Sequence, residues 1–160
     1  MSAVDKNQAI IDFIVTCPQI ASNPLFFNAI KAEDENKEVI TIANDRVLNT
    51  PFIDGSVQKL YSFSIVDFRS VSYDPVPKTF RTGENVDELL DVQGIIDWFD
   101  EQNDALNFPD FGSDCVIDSM VTTSDMPNLN GIDESVMPAL AKYSITIQIE
   151  YLDTSKQIFK

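Results

Sequence analysis

The side chains most able to do chemistry in this sequence are carboxylates. The chain of 160 residues carries 26 Asp and Glu against 11 Lys and Arg, and it contains no histidine. Ser-His-Asp triads, Cys-His dyads, histidine general bases and His-ligated zinc sites are therefore all excluded. An enzyme built from this sequence would have to work with carboxylates, hydroxyls or thiols alone.

The densest run of carboxylates lies in residues 33–38, Glu-Asp-Glu-Asn-Lys-Glu. Oxygen ligands of this kind bind hard cations, but the run lacks the D-x-[DN]-x-[DN]-G spacing of a calcium-binding loop, so a solvated connection is the better interpretation. Asp110, Asp114 and Asp153 have no spacing that indicates an acid–base pair. We therefore expect no metal site and no catalytic carboxylate.

Hydroxyls, glycines and thiols give no better candidates for catalysis. No serine lies in a G-x-S-x-G sequence, and there is no phosphate-binding G-x-x-x-x-G-K-[ST] sequence. Cys17 and Cys115 stand far apart, each beside apolar residues, which predicts free cysteines with a structural role. The sequence therefore predicts a protein that is not an enzyme and that carries no cofactor.

Composition predicts one globular domain over residues 1–160, because 44% of the residues are hydrophobic and 23% are charged. The formal net charge of −15 disfavours binding to phosphate backbones and to anionic lipid surfaces. The first residues lack the pattern of a signal peptide, and no apolar run reaches the roughly 18 residues of a membrane span. We expect a protein that is made in the cytoplasm and does not bind a membrane.

Two helices are predicted from hydrophobic spacing. Residues 3–16 place apolar side chains at helical intervals and stop before Pro18. Residues 85–103 begin with Asn85 and Glu88 in a capping-box-like pattern and carry a broad apolar stripe. Both segments have a polar side, so each helix should bury one face and expose the other.

Four segments with extended, β-branched or alternating patterns are predicted as strands: 39–43, 57–73, 115–123 and 141–152. The last has the clearest alternation, with apolar side chains at the odd-numbered positions from Tyr143 to Tyr151 and polar ones between them. The order of elements favours an α+β fold, a mainly antiparallel four-stranded sheet with two helices packed on one face. The remaining segments, including 19–30, 46–56 and 128–138, are predicted as loops.

Several aromatic side chains fall in the predicted loops, beside Pro, Asn and Asp. They are Phe26, Phe27, Phe52, Phe80, Phe108 and Phe111. Aromatic residues on loops are typical of protein–protein interfaces, but they also pack locally against a core. The sequence leaves both interpretations open, and Phe52 and Phe80 are the candidate interface residues.

The order of elements and several short phrases of sequence carry a resemblance to a known family. The phrases are the helix Asn85-Val-Asp-Glu…Ile95-Ile-Asp-Trp-Phe-Asp-Glu-Gln-Asn103, the strand Cys115-Val-Ile-Asp-Ser-Met, the loop Asp125-Met-Pro…Asn-Gly-Ile-Asp133 and the strand Lys142-Tyr-Ser-Ile-Thr-Ile-Gln-Ile-Glu-Tyr151. Together with an N-terminal helix and two strands, they resemble the tail terminator proteins of long-tailed bacteriophages, also called tail-completion or minor capsid proteins. The resemblance covers most of the chain but not residues 19–56.

The resemblance implies a homo-hexameric ring on the head-proximal end of the tail tube, assembled in the host cytoplasm and located in the virion. Such a ring stops polymerisation of the tail tube protein and joins the tail to the head–tail connector protein. It implies no active site. The polar side of the last strand would line part of a channel through which DNA passes without being bound: Ser144, Thr146, Gln148 and Glu150. Separately from the resemblance, the loop aromatics Phe52 and Phe80 are the residues that we expect to contact neighbouring proteins.

Two other classes of function remain open from the sequence. An acidic DNA mimic or immunity-type inhibitor would use the net charge of −15 to dock on a basic nucleic-acid-binding protein. A metal-dependent enzyme that uses carboxylates alone is the weaker alternative. The oligomeric state would distinguish a DNA mimic from a protein that forms a ring. A metal-dependent shift in melting temperature would indicate a metal-dependent enzyme.

Overall fold

The structure is a computed structural model that describes residues 3–21, 25–27, 37–70, 84–123, 128–133 and 140–158. Within these residues the protein forms three helices and six strands. The helices are α1 (Ala3–Ile14), α2 (Pro18–Ala21) and α3 (Glu84–Asp104). The strands are β1 (Leu25–Phe27), β2 (Lys37–Val47), β3 (Val57–Ser70), β4 (Cys115–Thr122), β5 (Asn128–Asp133) and β6 (Leu140–Asp153).

One sheet contains all six strands, and its centre is the pairing of β3 with β6. The strand order is β1-β2-β3-β6-β4, and β5 also pairs with β6. Since β3 occupies one edge of β6 over its whole length, β4 and β5 share the other edge. Every pairing is antiparallel except that of β1 with β2. The predicted α+β fold with a mainly antiparallel sheet is confirmed.

The register of β3 and β6 puts their large apolar side chains on the same face of the sheet. Phe63 lies opposite Ile147, and Tyr61 lies opposite Ile149. Successive side chains of a strand point to opposite faces, so the odd-numbered residues of both strands share this face. Their burial confirms the predicted alternation of the last strand: Tyr61, Phe63, Ile65, Tyr143, Ile145, Ile147, Ile149 and Tyr151 all belong to the main core.

Both long helices cover that apolar face. α1 contributes Ile10 and Ile14 to the main core, and α3 contributes a larger set that includes Phe99. Aromatic rings join the layers, because Phe99 lies 6.3 Å from Phe63 in an edge-on arrangement and Phe13 lies 5.1 Å from Trp98 between centroids. Aromatic pairs at these separations add to the free energy gained from burial. Two helices on one face were predicted, and the structure has them there.

Several local features differ from the sequence-based expectations. The segment 19–30 was expected to be a loop, but it contains the end of α2 and the short parallel strand β1; Pro18 opens α2, since proline is well suited to the first turn of a helix. Part of the expected loop 128–138 is β5. Leu90, an apolar residue of the predicted amphipathic helix 85–103, is exposed rather than buried. The strand predicted at 57–73 is described as far as Ser70.

A buried ion pair ties β3 to α3 on the apolar face. Arg69 donates from Nε and Nη2 to the two carboxylate oxygens of Asp67 at 2.9 and 3.0 Å, and its Nη1 contacts the carboxylate of Asp91 on α3. Burial lowers the pKa of Arg69, but the hydrogen bonds and charge of Asp67 and the charge of Asp91 outweigh it and raise that pKa above its ordinary value. The guanidinium therefore stays charged and compensates the fully buried Asp67.

Replacing Ile147 with Asp should test the facing of β6. Ile147 is fully buried, so the variant places an unpaired carboxylate in the core and should lose about 3–5 kcal/mol of unfolding free energy in urea denaturation. Gln148→Glu, one position along on the opposite face, should change it by no more than about 1 kcal/mol. Equal stability of Ile147→Asp and wild type would contradict the observed facing.

Replacing Arg69 with Met should destabilise the protein by about 3–5 kcal/mol, because the buried carboxylate of Asp67 loses its compensating charge. Exchanging both members, as Asp67→Leu with Arg69→Met, should recover most of that loss. Urea denaturation of the three proteins measures both effects. If the double variant is no more stable than Arg69→Met, the loss arises from packing rather than from an uncompensated charge.

Candidate interaction surfaces

The polar residues predicted on the last strand lie on the sheet face opposite the helices. Ser144, Thr146 and Gln148 are half-buried there, and Glu150 is exposed. We call these four side chains the polar stripe. Their partners on β3 are of two kinds. Ser62 lies opposite Gln148 and Ser64 lies opposite Thr146, whereas buried apolar side chains, Leu60 and Val66, lie opposite Glu150 and Ser144. The structure therefore puts the predicted residues together on one face, while their role in a channel stays a prediction.

The hydroxyl group of Thr146 in the polar stripe is engaged with β3. The Oγ atoms of Ser64 and Thr146 lie 2.8 Å apart across the two strands, a normal hydrogen-bond distance. Such paired hydroxyls neither activate a nucleophile nor carry charge. Beyond Ser144, the polar stripe is followed on the same side of the sheet by a separate apolar cluster of Val66, Phe68 and Leu140. This surface can form weak polar contacts, and its chemistry does not attract phosphate.

A rigid turn projects from the end of the sheet where β3 begins. Phe52 donates its backbone N–H to the carbonyl of Ser56, and Gly55 donates to the carbonyl of Phe52, both at 2.9 Å. The carboxylate of Asp54 accepts from the N–H and the hydroxyl of Ser56 at 2.9 and 2.6 Å. Gly55 has a φ of +90°, a conformation that glycine adopts without strain. The Asp54-Gly55 pair thus builds a tight turn, as its composition indicates.

The C-terminal segment holds this turn in place. Gln157 donates its side-chain amide to Asp54 at 2.7 Å, and Ile158 donates its N–H to the Asp54 carbonyl at 2.6 Å. Hydrogen bonds from Ser56 and Gln157 keep the pKa of Asp54 below its ordinary value. Held in this way, Phe52 is 50% exposed and Ile53 is fully exposed. We call residues 46–56 and 154–158 together the apolar tip.

Positive charge collects at the apolar tip, although the protein is strongly acidic. Of the Lys and Arg side chains whose exposure the structure describes, Arg46 and Lys156 are the exposed ones, and both belong to the tip. Next to them Lys59 binds Asp153 at 2.8 Å, beside a cavity of about 190 Å³. The tip therefore combines exposed apolar side chains with exposed cations.

The ion pair at the base of the tip should give stability that depends on pH. Burial raises the pKa of Asp153, but hydrogen bonds from Lys59 and Ser155 and the charge of Lys59 outweigh it and hold that pKa well below its ordinary value. A depressed pKa means that the stabilisation is present above the unfolded-state pKa, near 4, and is lost as the pH falls through the folded-state value.

Asp153→Asn should therefore lower the unfolding free energy at pH 7 by about 1 kcal/mol, the size expected for a partly solvated ion pair. The difference from wild type should shrink as the pH falls below about 4. Urea denaturation at pH 7 and pH 3 measures this difference in unfolding free energy, and Asp97→Asn on the exposed side of α3 is the control. A difference that is the same at both pH values would contradict an electrostatic origin.

A groove runs between α1 and the loop 107–110. It has a volume of about 600 Å³, and we call it the α1 groove. Asp5, Asp12 and Asp110 supply carboxylates to its lining, and Phe13 and Phe108 supply aromatic surface. No Lys or Arg is among the described residues that line it. The groove can therefore receive a segment that brings both a cation and an apolar side chain.

The loop aromatics divide between packing and exposure. Phe111 is buried, with its ring centroid 5.6 Å from that of Tyr61 and 5.4 Å from that of Tyr151, so it belongs to the core. Phe108 packs partly against the core, whereas Phe52 is half exposed at the apolar tip. Phe80, the other candidate interface residue, lies outside the described residues. Sequence alone marked Phe52 but missed the adjacent Ile53 and the flanking cations.

The cysteines and the acidic side chains of the described residues form no site of their own. Cys17 is buried, and its thiol donates to the side-chain amide oxygen Oε1 of Gln19 at 3.2 Å, whereas Cys115 is half-buried; neither forms a disulfide in the described part of the chain. Over the described residues, no His, Cys, Asp and Glu side chains group in a way that could hold a metal ion. No helix among them is long and apolar enough to cross a membrane.

A scan against protein-family models finds no match, and a search of curated proteins finds no relative of this chain. Function must therefore be inferred from three surfaces: the polar stripe, the apolar tip and the α1 groove. The resemblance carried by the short phrases of sequence adds to them as an expectation only.

Proposed function

We propose that the protein is a virion structural protein of the tail-terminator type, located at the head-proximal end of a tail tube. As a subunit of a homo-hexameric ring, it stops polymerisation of the tail tube protein and joins the tail to the head–tail connector protein. The observation that carries the proposal is the two-sided sheet. Strands β3 and β6 bury one face under helices, and the even-numbered positions of β6 from Ser144 to Glu150 place polar side chains on the other face. The sequence resemblance points the same way.

The polar stripe suits a surface past which DNA moves without being held. Affinity for DNA comes chiefly from Lys and Arg side chains that neutralise phosphates. The stripe instead offers hydroxyls, an amide and the exposed carboxylate of Glu150, on a chain with a formal net charge of −15. Phosphate groups close to such a surface are repelled or left alone, so DNA slides without specific binding.

The apolar tip supports the assembly part of the proposal. A ring subunit must contact its neighbours and the tube protein, and exposed apolar side chains held in a rigid loop lower the entropy cost of such contacts. Phe52 and Ile53 have these properties, since the hydrogen bonds at Asp54 fix the turn that exposes them. We assign the tip to protein–protein contact.

The experiment that tests the role is deletion of the gene from the phage genome or prophage that carries it. Lysates that lack the protein should contain tails of abnormal length that are not joined to heads, as measured on negatively stained particles. Supplying the protein from a plasmid should restore tails of uniform length joined to heads. Tails of normal length, joined to heads, in the complete absence of the protein would rule out the proposed function.

Placing positive charge on the polar stripe should slow DNA passage. Gln148→Lys with Glu150→Lys, supplied to the deletion mutant, should fold and assemble, because both positions lie outside the core and surface substitutions usually change stability by no more than about 0.5 kcal/mol. Plaque titre should nevertheless fall at least about tenfold, since the lysines attract phosphate. The neutral pair Gln148→Asn with Glu150→Gln is the matched control. Equal titres for the two variants would place the stripe outside the channel.

An acidic DNA mimic is the second candidate, and the outer side of α3 is the observation that favours it. Asp97, Asp100, Glu101 and Asp104 are all exposed there. A row of carboxylates can take the place of phosphates on a basic nucleic-acid-binding protein. A mimic would be a monomer that competes with DNA for such a protein in a salt-dependent assay, whereas a terminator forms a ring and does not compete.

A further inference from the structure

We propose that copies of this protein join one another by docking the apolar tip of one copy into the α1 groove of the next. The inference rests on the proposed function, which requires self-association, and it identifies the two surfaces that meet. It follows from three observations: the character of the tip, the character of the groove and the distribution of positive charge.

The tip has the properties of an inserted element. Ile53 is fully exposed at its end, and the hydrogen bonds of Asp54 with Ser56 and Gln157 fix the turn beneath it. An exposed isoleucine on a fixed turn loses little conformational freedom when it enters a pocket, so most of the free energy of burial is retained. The exposed Lys156 lies on the segment that holds the turn.

The α1 groove has the complementary properties. Its volume of about 600 Å³ is far larger than one apolar side chain, so it can hold the tip of a turn. Phe13 and Phe108 offer apolar surface, and the exposed Asp12 and Asp110 offer negative charge. A cation brought next to these carboxylates gains a favourable interaction, and the isoleucine gains an apolar contact.

Charge complementarity identifies a second copy of this chain as the proposed occupant of the groove. Two molecules of formal net charge −15 repel each other, so a contact in which one presents local positive charge to the negative charge of the other is favoured over contacts between acidic surfaces. Arg46 and Lys156 are the exposed cations among the side chains whose exposure the structure describes, and both lie on the tip. The tip is thus the part of the described surface suited to meet an acidic groove.

The contact is heterologous, because the tip and the groove are different surfaces of the same subunit. Repeating a heterologous contact closes a ring when the rotation between subunits divides a full turn, and otherwise extends a filament. Each subunit in the proposed hexamer would then use its tip toward one neighbour and its groove toward the other. A reciprocal exchange of tips between two copies would instead produce a closed dimer.

The test exchanges charges across the contact. Light scattering measures the mass of wild type, Asp12→Lys, Lys156→Glu and the variant with both changes over a concentration series. Each single change should weaken self-association at least about tenfold, since it replaces attraction by repulsion at the rim of an interface. The combined variant should return to within about threefold of wild type, because it restores an opposite pair. Ile53→Ala should also weaken association about tenfold or more.

Asp97→Lys is the matched control. Asp97 accepts a hydrogen bond from Gln93 on α3, as Asp12 does from Gln8 on α1, so both changes remove the same local contact and add the same charge. Less negative copies repel each other less, and the control should therefore associate at least as well as wild type. Circular dichroism and thermal melts confirm that every variant is folded.

The outcomes separate this inference from the proposed function. A wild type that stays monomeric, single variants that assemble normally, or a combined variant that does not recover would each overturn the tip-and-groove contact. The deletion experiment with tails stands apart from these results. If charge exchange behaves as expected but tails form normally without the protein, the contact holds and the terminator role fails. A mass of two subunits would keep the contact and contradict the ring.

Discussion

The continuous pairing of β3 with β6 is the constraint on which the rest of the fold depends. The two strands pair along their full length, from Val57 opposite Asp153 to Ser70 opposite Leu140. Because side chains alternate between faces, an unbroken ladder assigns every residue of both strands to one side, and a slip of one residue would turn the whole apolar set into solvent. The helices then have a single face to cover. The polar stripe exists because the same ladder that buries the odd positions must turn the even ones away.

Both surfaces of the proposed contact lie toward one end of this ladder. β3 begins and β6 ends there, so the tip before Val57 and the segment after Asp153 leave the sheet side by side. Phe111 packs against Tyr61 and Tyr151 near the same end, and Asn7 and Lys6 of α1 hydrogen-bond to those two tyrosine hydroxyls, which places α1 and the loop before Phe111 there as well. Contacts between subunits at this end would leave the middle of the polar face uncovered.

Features encoded by local periodicity could be predicted from the sequence, and features that depend on distant residues could not. The predicted helix 85–103 and the final strand agree with α3 and β6 within one residue at each end. A helix or strand that buries one face repeats its apolar residues at a fixed spacing, and that spacing is visible in the local sequence. The short strands β1 and β5 show no such repeat. They are defined by their pairing with β2 and β6, a feature that the local sequence does not display. The apolar tip needs Asp54 to meet Gln157, and the α1 groove needs α1 to meet residues 107–110. No spacing in the sequence indicates either meeting.

The distribution of cations links the stability of the fold to its assembly. Arg69 is bound by Asp67 and Asp91, Lys6 lies 3.3 Å from the Tyr151 hydroxyl, and Lys59 is bound by Asp153, so these cations serve contacts within the subunit. With few cations in the chain, using them inside leaves most of the described surface acidic, and acidic copies repel one another over about 10 Å or less at physiological salt. The exposed cations at the tip act within that distance. In the proposed assembly, repulsion would disfavour other contacts between copies relative to the one that brings the tip against carboxylates, so the charge that is proposed to keep DNA from binding would also select how subunits meet.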